Sequence, residues 1–112
     1  MQLTLLPQPD GVTIRVDEKR LDAAIATAFK DRVRSMIVDG GALVVLDLRG
    51  VDFIDSSGLG AVIALFKAMP ADRRLVLTGL TPNVERVFQL TRMDTVLAIR
   101  KDPPPGQKGP AP

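Results

Sequence analysis

The residues with chemical prospects gather in one short stretch, Val51-Asp52-Phe53-Ile54-Asp55-Ser56-Ser57-Gly58-Leu59-Gly60. Asp55, Ser56 and Ser57 read as the start of a helix, where unpaired backbone N–H groups and the positive end of the dipole are exposed. Capping explains one Asp or Ser at such a place. It does not explain three carboxylate or hydroxyl residues in a row, followed by Gly58 and Gly60 inside the first turns. Glycine within a helix costs about 0.5–1 kcal/mol relative to alanine. Two of them imply close approach by another backbone, from the same domain or from a partner. A serine hydroxyl here is also a candidate phosphoacceptor. Its phosphate carries about −1.5 to −2 charges, near helix N–H donors but beside the Asp55 carboxylate, so modification changes the surface more than the fold.

Other chemistries fall away by subtraction. The 112 residues contain no Cys and no His, which removes disulfides, thiolate metal sites, cysteine nucleophiles and the commonest general base. A serine hydrolase needs Gly-x-Ser-x-Gly, yet Ile54 and Asp55 stand two residues before Ser56 and Ser57. No Gly-x-x-x-x-Gly-Lys-Ser/Thr string is present for a P-loop. An aspartate-phosphorylated receiver needs an early acidic pair at a strand end, and Asp17-Glu18 is the nearest approach to one, with Asp47, Asp52 and Asp55 following. Fifteen basic against 13 acidic residues leave a net charge of +2. The basic residues are scattered, and four Phe without Trp or Tyr offer little for stacking, which argues against nucleic acid. No apolar run nears the roughly 18 residues of a membrane span, and no signal-peptide core precedes Pro7. A cytoplasmic protein without membrane insertion is expected.

The elements that hold the stretch are readable from periodicity. Leu3–Leu6 and Val12–Val16 predict two strands of a hairpin around Pro7-Gln8-Pro9-Asp10-Gly11. A helix follows from about Asp22, as its cap, to Val38, with Ile25, Ala28, Phe29, Val33, Met36 and Ile37 inward and Asp39-Gly40-Gly41 as its stop. Leu43–Leu48 is a continuous apolar run, as in a central strand buried on both faces. Val51, Phe53 and Ile54 are expected to bury the next segment. A helix over Ser57–Ala68 turns Leu59, Val62, Ile63 and Phe66 inward. Arg74–Thr78 is a strand, and Thr81-Pro82 caps a third helix with Val84, Val87, Phe88 and Thr91 inward. Val96–Ile99 closes the set. The order predicts a single small mixed α/β sheet, hairpin first and then alternating helix and strand. Residues 1–101 form this domain. Residues 102–112, with five prolines and two glycines, read as a disordered Pro-rich tail.

Val44-Val45-Leu46-Asp47-Leu48 followed by Asp55-Ser56-Ser57-Gly58-Leu59-Gly60 resembles the signature of the STAS family, the bacterial anti-sigma factor antagonists. Arg20-Leu21-Asp22-Ala23 and Leu77-Thr78-Gly79-Leu80-Thr81-Pro82 resemble its flanking loops. The resemblance implies a small sheet with helices mostly on one face. It also implies partner switching: a serine-kinase anti-sigma factor binds the unmodified antagonist, phosphorylates Ser56 and lets go, and a PP2C-type phosphatase restores Ser56. The protein is then not an enzyme and needs no cofactor, since the kinase supplies ATP and Mg²⁺. The implied partner-binding residues are Asp22, Asp55, Ser56, Ser57, Gly58, Leu59 and Gly60, on a monomer or weak dimer. Glu18-Lys19-Arg20 departs from the glycine the family often has before Leu-Asp, so the loop around Asp22 is expected to differ in shape. Within the same family the alternative is a constitutive adaptor, for instance in a lipid-transport ABC system, with no phosphorylation cycle.

Overall fold

The computed structural model describes residues 1–37 and 41–100. The expected helix end at Val38, the Asp39-Gly40 part of its stop and the 102–112 tail lie outside them. Among the described residues the chain runs β1 (Leu3–Gln8), β2 (Gly11–Val16), β3 (Arg20–Leu21), α1 (Ala26–Met36), β4 (Leu43–Asp47), β5 (Phe53–Ile54), α2 (Ser56–Ala68), β6 (Arg74–Thr78), α3 (Pro82–Leu90), a 3₁₀ turn (Met93–Thr95) and β7 (Ala98–Arg100). No helix among them is long and apolar enough to cross a membrane.

The hairpin is antiparallel and longer than its apolar pattern suggested, with Pro7 opposite Val12 and Gln8 opposite Gly11. Proline is tolerated because β1 is an edge strand. The sheet order is β1-β2-β4-β6-β7, and every pairing after the hairpin is parallel. β4, the continuous apolar run, therefore sits in the middle. Val12, Ile14 and Val16 of β2, Val44 and Leu46 of β4 and Leu75 and Leu77 of β6 alternate onto one face. There they join Phe29, Val33, Leu59, Val62, Leu65, Val84 and Phe88 in one core. The three helices thus share that face of the sheet, as right-handed crossovers between sequentially ordered parallel strands require.

Several expectations need correction. Asp22 does not cap α1: the N-cap position belongs to Ile25, with no side-chain cap. Instead the Asp22 carbonyl accepts from Ile25 and Ala26, at 3.1 and 2.9 Å, in a separate turn ahead of the helix. The face of α1 consequently shifts, with Ala26 buried and Ala28 exposed. In α2 the fully buried Leu65 joins the expected Leu59 and Val62, while Ile63 and Phe66 are half-buried and pack against the core as expected. Thr91 is exposed, its hydroxyl donating to the Val87 carbonyl at 2.7 Å at the end of α3. The last strand is Ala98–Arg100 and not 96–99, because the Val96 and Leu97 amides are already used by the Met93 carbonyl.

Phe53 is the most informative misreading. It is 40% exposed, since β5 pairs only with β3 in a separate two-stranded sheet, Arg20 opposite Phe53 and Leu21 opposite Ile54. Ile54 and Leu21 turn into the core, and alternation sends Phe53 and Arg20 outward together. Two-residue strands carry no period to read.

Candidate functional site

Asp55, Ser56 and Ser57 lie where β5 passes into α2. Asp55 is the N-cap of α2, with extended backbone, and its Oδ1 accepts from the Gly58 amide at 2.9 Å. Its Oδ2 accepts from the Ala23 amide at 3.1 Å. One carboxylate thus ties the start of α2 to the turn that precedes α1. The Gly58 amide above all, then those of Ala23 and Ser57, with the Arg20 charge adding, hold the Asp55 carboxyl below the usual carboxylate range.

Ser56 is the first residue of α2 and is exposed, as is Ser57. Gly58 and Leu59 turn the other way. A Cβ on Gly58 would lie 2.0 Å from the Leu21 carbonyl oxygen, so glycine here lets the first turn of α2 rest on the backbone of β3. Leu59 is 8% exposed and belongs to the core. Both positions are buried against the rest of the chain. Gly60 differs: it is exposed, and nothing stands within 4 Å of where its Cβ would be. The close backbone approach expected for both glycines is met within the chain for Gly58 alone.

Asp22 does lie beside this cap, since its neighbour Ala23 donates to Asp55. Its Oδ1 accepts from the Ala24 amide at 3.1 Å, and its Oδ2 pairs with Arg20 Nε at 3.2 Å. The Arg20 guanidinium in turn sits 4.1 Å from the centre of the Phe53 ring. Periodicity did not single out Arg20 or Phe53; the signal that could have done so is their position, equally spaced before Asp22 and Asp55. A shallow groove runs from the site between α1 and α2, with Ala23, Thr27 and Lys30 on one wall and Ser57, Gly60 and Ala64 on the other. Small residues on both walls are the signal that could have found it, and of these the sequence reading singled out Ser57 and Gly60. At the base of the preceding loop, the Thr81 hydroxyl donates to the Val51 carbonyl at 2.7 Å in place of capping α3.

Asp47 takes no part in this surface. It is fully buried and pairs with Arg49 at 2.9 Å. Among the described residues no three acidic side chains come together to hold a metal ion.

The Asp55 geometry makes a prediction. Asp55→Ala melts below Asp55→Asn, because asparagine keeps an acceptor for the Gly58 amide. With its folded ionisation depressed, Asp55 contributes its full stabilisation above the unfolded carboxylate value and loses it as the pH falls through that range. The melting gap between wild type and Asp55→Asn therefore narrows below about pH 4, as read by calorimetric scans. A gap constant down to about pH 3 contradicts a charged cap.

Comparison with known proteins agrees with this architecture. Residues 4–103 match the family model of the STAS domain. An anti-sigma-B factor antagonist of Listeria monocytogenes is 31% identical over 81 residues, 71% of each chain. The crystal structure of an anti-sigma factor antagonist from Mycobacterium paratuberculosis superposes with a TM-score of 0.79 at 19% identity, over 88% of this chain and 83% of that one. The Bacillus cell fate determinant SpoIIAA in its phosphorylated form superposes at 0.63 and 20% identity, over 89% and 92%. At such identities the two structures speak for a shared fold.

Proposed function

The chain belongs to the STAS-domain family, and from that membership we propose that it is an anti-sigma factor antagonist that works by partner switching. In its unmodified form it binds a serine-kinase anti-sigma factor, using the exposed start of α2 and the groove beside it. The kinase transfers a phosphoryl group to Ser56. The serine oxygen bonds to the γ-phosphorus of ATP, the bond to the β-γ bridging oxygen breaks, ADP leaves, and the hydroxyl proton passes to a base. The phosphorylated protein dissociates, and a PP2C-type phosphatase resets it by hydrolysis. On this reading the protein acts in the cytoplasm as a regulator and not as an enzyme.

The observation that carries the reading is Ser56 itself, an exposed hydroxyl at the first position of a helix whose cap is supplied by its neighbour. Because Asp55 does the capping, Ser56 can be modified without loss of the helix start. A dianion added there meets first-turn amides on one side and the Asp55 carboxylate on the other. Its main effect is outward, as desolvation cost and like-charge repulsion in any interface that covers it. Gly60 supports the same surface, for a helical glycine with open space around it leaves room for a partner backbone.

Phosphate-affinity gels of the protein recovered from its native host test this directly. A slower band that varies with growth condition and vanishes in Ser56→Ala is expected. Absence of that band in every condition overturns the cycle and leaves a constitutive adaptor.

A further inference from the structure

Arg20 is placed as a shared counter-charge for the whole site. Its register pairing with Phe53 sets the two side chains next to each other, and the guanidinium lies over the ring at 4.1 Å. Two residues further along each strand direction come Asp22 and Asp55, and Ser56 follows Asp55 at once. Arg20 Nε holds Asp22 Oδ2 at 3.2 Å, yet the arginine side chain is 61% exposed. It is also near enough for its charge to favour the ionised form of Asp55. A single cation thus borders two carboxylates and an exposed ring, and one of those carboxylates, Asp55, directly precedes Ser56 in the chain. Lys19, its chain neighbour, is exposed as well, and its carbonyl accepts from the Asp52 and Phe53 amides at 2.8 and 3.2 Å.

Exposed carboxylate pairs with arginine are weak and easily exchanged. A phosphate at Ser56 is a stronger competitor, with up to twice the charge and three acceptor oxygens that match the planar guanidinium fork. Resting on the reading of Ser56 as the phosphoacceptor, we propose that Arg20 receives the Ser56 phosphate: on modification its guanidinium leaves Asp22 for the phosphoryl oxygens. One modification then alters three places at once. The phosphate gains an intramolecular partner, Asp22 loses its own, and the Phe53 ring loses the cation that lies across it. The face that a kinase meets is rearranged without any change in the core, because Arg20 and Phe53 both stand on the outer side of β3 and β5.

The test uses the full chain with phosphoserine encoded at position 56 during translation, as wild type, Arg20→Lys and Arg20→Gln. Phosphorus NMR follows the second ionisation of the phosphate with pH. The wild-type midpoint falls below that of Arg20→Gln by about half a pH unit or more, as a close opposite charge requires. Arg20→Lys lies between them, keeping the charge and losing the fork. In wild type the Arg20 Nε–H resonance and the Phe53 ring protons both shift on phosphorylation. Coincident midpoints for wild type and Arg20→Gln overturn the proposal, and so does an Arg20 resonance that stays in place. Because no kinase is involved, failure here counts against Arg20 alone, whereas failure of the partner-switching reading shows as a Ser56 never modified in the host.

Discussion

On the proposed partner-switching reading, Ser56→Asp is expected to bind the serine-kinase anti-sigma factor about two orders of magnitude more weakly than the unmodified wild type, a loss of about 3 kcal/mol. Ser56→Ala binds as the unmodified protein does and remains bound when ATP is supplied. Both follow from where the hydroxyl stands. Ser56 is exposed at the first position of α2, and the cap that holds the helix comes from Asp55, so neither variant loses an interaction on which the fold depends. What differs is the charge carried into the interface. A buried carboxylate without a partner is costly, and one that faces acidic groups is more so. Calorimetric titration of the two variants against the kinase measures the difference. Equal affinities for the two would remove the switch.

Gly58→Ala and Gly60→Ala, identical changes two residues apart in one helix, move stability in opposite directions. The added methyl at position 58 meets the Leu21 carbonyl oxygen at 2.0 Å, far inside contact distance. The obstacle is backbone of β3 and cannot rotate away, so α2 must shift from the strand on which it rests. Overpacking of this kind costs about 1–3 kcal/mol, occasionally more. For a domain of this size each kcal/mol lowers the melting temperature by about 4–8 °C. At position 60 the methyl enters open space, and alanine improves the helix by about 0.5–1 kcal/mol. Thermal melts of the two variants decide the matter, and a Gly58→Ala protein that melts with the wild type contradicts the contact. Kinase titration of Gly60→Ala adds a second result. Weaker binding by a more stable protein marks Gly60 as the place where a partner backbone comes close.

The same pair of glycines shows where sequence reading stops. Their cost as helix residues is a local property and pointed to close approach at both. Only one is approached within the chain, because that depends on which strand lies beneath the first turn. Asp22 is a similar case. Its type and position fit a helix cap, but the turn it closes through Ala24 and Ile25 precedes α1 and reaches only its first residue, Ala26. Apolarity alone places Phe53 in the core, and the pairing of β5 with β3 turns it out.

Periodicity and composition were enough for the parts governed by local rules. Two-residue alternation marked the hairpin, unbroken apolar runs marked β4 as central, and three- and four-residue spacing marked the helices. The absence of Cys and His left the serines of the Asp55-Ser56-Ser57-Gly58 string as the candidate chemistry, and the resemblance to the STAS family pointed among them to the Ser56 hydroxyl. These properties survive because hydrophobic burial and helix capping act over a few residues. The arrangement around that hydroxyl arises otherwise. Asp55 bridges two elements across 32 positions to Ala23, Arg20 comes to lie over Phe53, and Gly58 meets Leu21. Such contacts join segments distant along the chain, and their geometry exists once β3 and β5 have paired and α2 has settled against them.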